Sequence, residues 1–196
     1  NAHRKLATHD VTTNKITRYT APFLVENNAS LHFGWATNGT TPLVIKKVPS
    51  SAGTNTFTSQ SGSTLISTSL DGLQKASAST GNVQYTSSNK NFDQTAVFWY
   101  VGKDNQVTGD IFTSGGTPKT IICDLIDNTK MLTLSSSTSI SSPGLLQIKN
   151  GKFIESTTEY ITGSTGGLTM EEGTLYSIAK NSSSSSDLIP GLEGWL

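Results

Sequence analysis

The chain has 196 residues, with 14 Lys and Arg against 14 Asp and Glu, 14% charged residues in all, and more than a quarter Ser and Thr. That length holds one sizeable core rather than two full domains, and the balanced charge excludes the basic footprint of a nucleic-acid binder for the chain as a whole. No run reaches the ~18 apolar residues of a membrane-spanning helix, and Cys123, the single cysteine, excludes an intrachain disulfide.

Residues 1–20 show no clean period and carry Arg4, Lys5, Lys15 and Arg18 opposed only by Asp10. They read as an N-terminal arm, with a short strand at Lys15 to Tyr19 and enough basic charge to attach to an acidic protein surface. From Pro22 the texture changes to short apolar runs punctuated by turn signals. Phe23 to Val25 precedes Asn27-Asn28, Ser30 to Trp35 precedes Asn38-Gly39, and Pro42 to Val48 precedes a Pro/Ser/Gly stretch. Residues 21–57 thus read as a meander added to, or attaching, the main domain of residues 21–196. In the Ser/Thr/Gly/Asn-rich stretch of residues 50–91, isolated apolar residues predict loops and edge strands, the best place for a ligand-facing surface.

Ala96 to Val101 is the only continuous apolar run with the length of a buried strand. With both faces apolar it predicts a central strand covered on both sides, by the meander or by another subunit. Gly102 to Gly109 supplies turn residues, so the run reads as a hairpin with a second strand from Asp110 to Ser114. Thr120 to Ile126, Met131 to Ser135, Gly144 to Ile148, Lys152 to Ile154 and Thr174 to Ala179 follow as short strands. Asn128-Thr129-Lys130 and Lys149-Asn150-Gly151 have the composition of hairpin turns. Short strands at this spacing predict an all-β, two-sheet antiparallel sandwich. Leu188, Leu192 and Trp195 recur at helical spacing behind a Ser/Asp cap, which predicts one short C-terminal helix closing it.

Several of these stretches carry a resemblance. Thr174-Leu175-Tyr176-Ser177-Ile178-Ala179, followed by Ser186-Asp187-Leu188 through Leu192-Glu193-Gly194-Trp195-Leu196, resembles the closing strand and helix of concanavalin A-like, laminin G-type jelly rolls. Phe98 to Lys103 is similar to the central strand of that family. Ser59-Gln60-Ser61-Gly62 and Gly81-Asn82-Val83-Gln84-Tyr85 are similar to the turn and Tyr-bearing segment that precede it. The resemblance spans residues 58–196 and implies a jelly roll with a habit of binding, as found in bacterial surface proteins and tailed-phage virion proteins. It implies no shared active site.

The chemistry-bearing residues point away from catalysis. His3, His9 and His32 have no metal-ligating spacing, no Ser sits in a Gly-x-Ser-x-Gly elbow, and Gly163 to Gly167 lacks the Lys of a phosphate loop. Glu171 and Glu172 are adjacent in a turn before a strand, so they do not converge on one glycosidic bond. The neighbours Ile121, Ile122 and Leu125 mark Cys123 as a buried small hydrophobe. No catalytic residue, resident cofactor or metal ligand is assigned. Calcium is the one ion with a candidate set of oxygen ligands, Asp104, Asn105, Gln106 and Asp110. Trp35, Trp99, Tyr100, Tyr85 and Tyr160 are candidates for sugar stacking, with core packing the competing role.

The ligand-binding candidates are therefore Trp35, Tyr85, Asp104, Asn105 and Asp110, with Arg4, Lys5, Lys15 and Arg18 as an attachment arm. The expected function is a non-enzymatic virion structural protein of a tailed phage, a capsid decoration, head-fibre or tail module that displays a lectin-like domain. It would pair with other virion proteins such as a capsid protein, as a homo-oligomer or part of a larger assembly, and with a host-surface glycan, but not with nucleic acid or membrane. The alternative is a carbohydrate-binding module of a bacterial surface or secreted protein.

Overall fold

The computed structural model describes residues 9–10, 15–16, 22–36, 39–46, 55–112, 117–140, 143–156, 158–162 and 167–177. Their architecture is a parallel β-solenoid. From Phe23 onward, successive strands do not pair with each other. Each moves on to a different face, and the chain returns to the first face one coil later. The widest face is a six-stranded sheet in which Ser30–His32, Thr64–Ser67, Val97–Tyr100, Thr120–Asp124, Leu145–Asn150 and Gly167–Met170 lie side by side in chain order. All five of its pairings are parallel.

The other faces repeat the pattern. Gln106–Val107, Met131–Thr133, Lys152–Ile154 and Leu175–Ser177 form a parallel four-stranded sheet. Phe23–Val25, Phe57–Ser59 and Lys90–Asn91 form a three-stranded one, and Thr138–Ser139 pairs with Ile161–Thr162. Ile45–Lys46 joins Val83–Gln84 on one side and Lys15–Ile16 on the other. The single antiparallel strand pair among the described residues is His9–Asp10 with Lys15–Ile16.

This topology overturns the antiparallel jelly-roll sandwich, and with it the concanavalin A-like fold that the resemblance implied. The described residues are all-β, and their one helical piece is the 3₁₀ turn Ser87–Asn89. The expected C-terminal helix and most of the N-terminal arm lie outside the described residues. The hairpin at Gly102 to Gly109 is a corner instead. Val97–Tyr100 belongs to the six-stranded sheet and Gln106–Val107 to the four-stranded one, while Ile111 and Phe112 are buried without forming a strand. At Asn150-Gly151 the chain likewise turns between faces, with Gly151 at φ +97°. The strands Phe23–Val25, Ser30–His32 and Ile45–Lys46 form a coil of the same solenoid, paired in register with the next.

Coil stacking explains the core. In-register parallel pairing brings like positions of successive coils together, so inward residues form ladders along the axis. One ladder reads Leu31, Leu65, Phe98, Ile121, Leu146, Leu168 and the next reads Phe33, Ser67, Tyr100, Cys123, Ile148. Ala96, Phe98 and Tyr100 are fully buried, whereas Val97 and Trp99 face outward and are half-covered. The apolar run thus covers one face fully. Trp99 gains its shelter from its neighbours: its Nε1 donates to Asp124 Oδ2 at 3.1 Å and the Lys149 ammonium lies 4.6 Å from its ring. Burial pushes the Cys123 thiol up to about 12, in keeping with an inert core residue.

Two long connections, residues 33–44 and 68–82, leave the six-stranded sheet at equivalent places in consecutive coils, and buried polar groups tie them together. Asn82 is the hub. Its Oδ1 accepts from Ser67 Oγ, Thr68 N and Ser69 N at 2.8, 3.1 and 3.0 Å, and its Nδ2 donates to Leu43 O and Thr68 Oγ1 at 2.8 and 3.1 Å. Gln106 joins from the next face, donating to Ser69 O at 2.7 Å and accepting from Gly102 N at 2.9 Å.

The second connection is also anchored by Lys90. On the three-stranded sheet the inward position is Phe23, then Phe57, then Lys90. The Lys90 ammonium donates to the carbonyls of Gln74, Ser77 and Val83, and Asp110 accepts from the Lys75 and Ala76 amides. Burial lowers the Lys90 pKa to about 8, with Asp110 partly opposing it. Because the folded value lies below the unfolded one, the folded chain holds fewer protons than the unfolded chain between about pH 8 and 10.5. Stability should therefore rise with pH across that window, relative to a Lys90→Met variant. Urea midpoints of both proteins at two pH values inside and below the window measure this, and parallel pH curves would refute it.

Candidate functional site

The corner that enters the six-stranded sheet repeats a tight turn in three consecutive coils. Ala29 N donates to Glu26 O, Ser63 N to Gln60 O, and Ala96 N to Asp93 O, at 3.0, 3.1 and 3.2 Å. The third turn residue takes a left-handed conformation in the first two, Asn28 at φ 61° and Gly62 at φ 70°. Because the coils are in register, these turns lie one above the other, and their side chains form a ladder at the ~4.8 Å strand spacing.

Along this corner runs a cleft of 490 Å³. Its lining comes from five coils in turn: Asn27 and Asn28; Ser61 and Gly62; Thr95; Thr117, Pro118 and Lys119; Pro143 and Gly144. A second hollow of 460 Å³ adjoins it over the three-stranded sheet, sharing Asn27 and Ser61 and adding Gln60, Asn91 and Asp93. Five coils at that spacing give a groove roughly 19 Å long.

Its walls are polar and internally ordered. Asn27 N donates to Gln60 Oε1 at 3.0 Å, linking the first turn to the second. A side chain at Gly62 would place its Cβ 2.9 Å from Asn27 Oδ1 and 3.3 Å from Asn28 Oδ1, so both amides lean over a bare glycine floor. Ser61 Oγ lies 2.8 Å from Thr95 Oγ1, which donates to Asp93 Oδ1 at 2.6 Å. With the Thr95 proton committed to the carboxylate, the Ser61 hydroxyl donates to Thr95 and keeps its lone pairs for a donor in the groove. The relay orders a polar wall.

The residues singled out from sequence lie outside the groove lining. Tyr85 is in the core, 1% exposed, with its ring 6.5 Å from Phe57. Trp35 sits in the first long connection, bridged to Pro42, with the Lys103 ammonium 4.9 Å from its ring. Asp104 pairs with Lys130 at 3.0 Å, and that hydrogen bond holds its carboxyl below the usual range. Asn105 Oδ1 accepts from Met131 N at 3.0 Å, while Asp110 caps the amides of Lys75 and Ala76. These oxygens already serve backbone and side-chain donors on two different corners. Among the described residues no group of three or more His, Cys, Asp or Glu could hold a metal ion. Of the attachment residues, Arg4, Lys5 and Arg18 lie outside the described residues, and Lys15 is placed by its backbone strand alone.

The groove residues were visible in sequence only as turn signals, Asn27-Asn28 and Ser61-Gly62. The available sign of a site was that the same polar turn recurs ahead of each apolar strand, at Glu26 to Ala29, Gln60 to Ser63 and Asp93 to Ala96. Compared with known proteins, the chain matches no family model, no curated protein and no solved structure.

Proposed function

We propose that the chain is a non-enzymatic, rigid β-solenoid element of a larger assembly that lays an extended glycan along the stacked-turn groove. The observation that carries this reading is the groove itself, a long cleft lined by amides and hydroxyls from successive coils. A polyhydroxylated chain is the ligand class that both donates to and accepts from such walls, and its own repeat runs along the direction in which the turns repeat. The scaffold suits the task, since the first three turns each have a paired strand on either side, so little conformational entropy is lost on binding there. The setting we favour is a tailed-phage virion, as a fibre, tail or decoration component contacting a host-surface glycan. The Ser/Thr-rich, Cys-poor composition supports an exposed rod of this kind. A bacterial surface protein would use the same groove in the same way.

Calorimetric titration against a panel of surface oligosaccharides tests the reading. The double variant Asn28→Gly/Ser61→Ala keeps the turn conformations while removing an amide and a hydroxyl. It should weaken binding about tenfold or more, at about 1 kcal/mol per lost hydrogen bond, with an unchanged urea midpoint. Failure of the wild-type protein to retain any oligosaccharide would remove the glycan reading.

A further inference from the structure

We infer that the groove selects acidic glycans, with Lys119 as the residue that reads a carboxylate or sulfate on the bound chain. The inference rests on the glycan reading of the groove and adds a charge and a position to it. Among the ten residues lining the main cleft, Lys119 is the only charged one. Its backbone is fixed in the ladder: Lys119 N donates to Ala96 O at 3.1 Å and Lys119 O accepts from Leu145 N at 3.0 Å. Pro118 on its own coil and Pro143 on the next stiffen the walls around it.

The side chain is exposed, and among the described residues its ammonium makes no ion pair or hydrogen bond. Two other cations are committed within the fold, Lys90 to three carbonyls and Lys103 to Gly39 O and the Trp35 ring. The carboxylate of the adjoining hollow, Asp93, is itself occupied by the amide and hydroxyl of Thr95. Lys119 therefore offers a positive charge with no ion-pair partner among the described residues, at the fourth of five stacked positions. A chain threaded over Asn28, Ser61 and Thr95 places a later sugar above it. A neutral sugar there gains one hydrogen bond, whereas an anionic one gains a charge-assisted bond with steering from solution.

The test pairs neutral and uronic-acid oligosaccharides of equal length, at least five sugars, titrated into the full chain and into Lys119→Gln. The wild type should bind the acidic series about fivefold or more tighter at low salt. That advantage should disappear in Lys119→Gln and in about 0.5 M NaCl, where the screening length shrinks to a few ångströms. Neutral oligosaccharides should bind both proteins alike. Equal affinity for the two series, or an acidic preference that survives Lys119→Gln, overturns the assignment of Lys119 while leaving the groove as a glycan site. Absence of binding to either series overturns both.

Discussion

Replacing Asn82 with alanine is expected to lower the unfolding free energy by about 3–5 kcal/mol, the range for breaking a buried polar network. The side chain is fully buried and makes five hydrogen bonds, accepting from Ser67 Oγ and the Thr68 and Ser69 amides and donating to Leu43 O and Thr68 Oγ1. Alanine leaves two backbone amides and a carbonyl without their partner in a place where water does not reach easily, and an orphaned group costs more than the bond it made. Leucine at this position should be no better, because it restores volume but no partner. Urea denaturation of both variants measures the effect. A loss below about 1 kcal/mol would mean that the two long connections are held by something other than this amide.

Gly109→Ala should be comparably damaging, by about 3 kcal/mol or more, from overpacking added to the left-handed penalty. Gly109 has φ +82°, and a Cβ there would lie 2.1 Å from Leu73 O and 2.6 Å from Leu73 C. The obstacle is backbone, not the far end of a side chain. On the opposing segment Gly72 is in the same position, a Cβ there falling 2.2 Å from Val107 O. These glycines let residues 69–73 lie against residues 107–109, with Leu73 N donating to Thr108 O and Val107 N to Leu70 O at 3.1 and 2.9 Å. A thermal melt of Gly109→Ala within a degree or two of the parent would show that the second connection can lift away at little cost. Gly62→Ala would then serve as the contrast, since the atoms it meets are mostly amide side chains that can swing aside.

Strand positions were legible. The expected strands at Phe23 to Val25, Thr120 to Ile126, Met131 to Ser135 and Lys152 to Ile154 correspond to strands of the structure. The central strand departs from the expectation of cover on both faces: Phe98 and Tyr100 are fully buried, whereas Val97 and Trp99 face outward and are half-covered. What misled was the meaning of the turns. A run such as Gly102 to Gly109 or Asn150-Gly151 carries the same glycines and amides whether it reverses the chain or bends it onto the next face of a coil. The repeat that would have marked a solenoid was hidden by unequal coils. Leu31 to Leu65 to Phe98 are long steps, lengthened by the two connections, while Phe98 to Ile121 to Leu146 to Leu168 are short ones.

The site was less legible than the fold. Tyr85, Asp104, Asn105 and Asp110 drew notice because aromatics and acidic turn residues often face ligands, but each is engaged within the protein. Asn28, Ser61, Thr95 and Lys119 are unremarkable in the chain and become a surface only when their coils stack.

Where the chain is extended, and which side chains of each strand turn inward, is written into neighbouring residues, because alternation and turn propensity act over a few positions. Which strand lies beside which, and therefore whether scattered polar turns add up to a groove, depends on contacts between residues one coil apart. Those contacts form only when the backbone closes each coil at the same angle and the inward ladders fall into register.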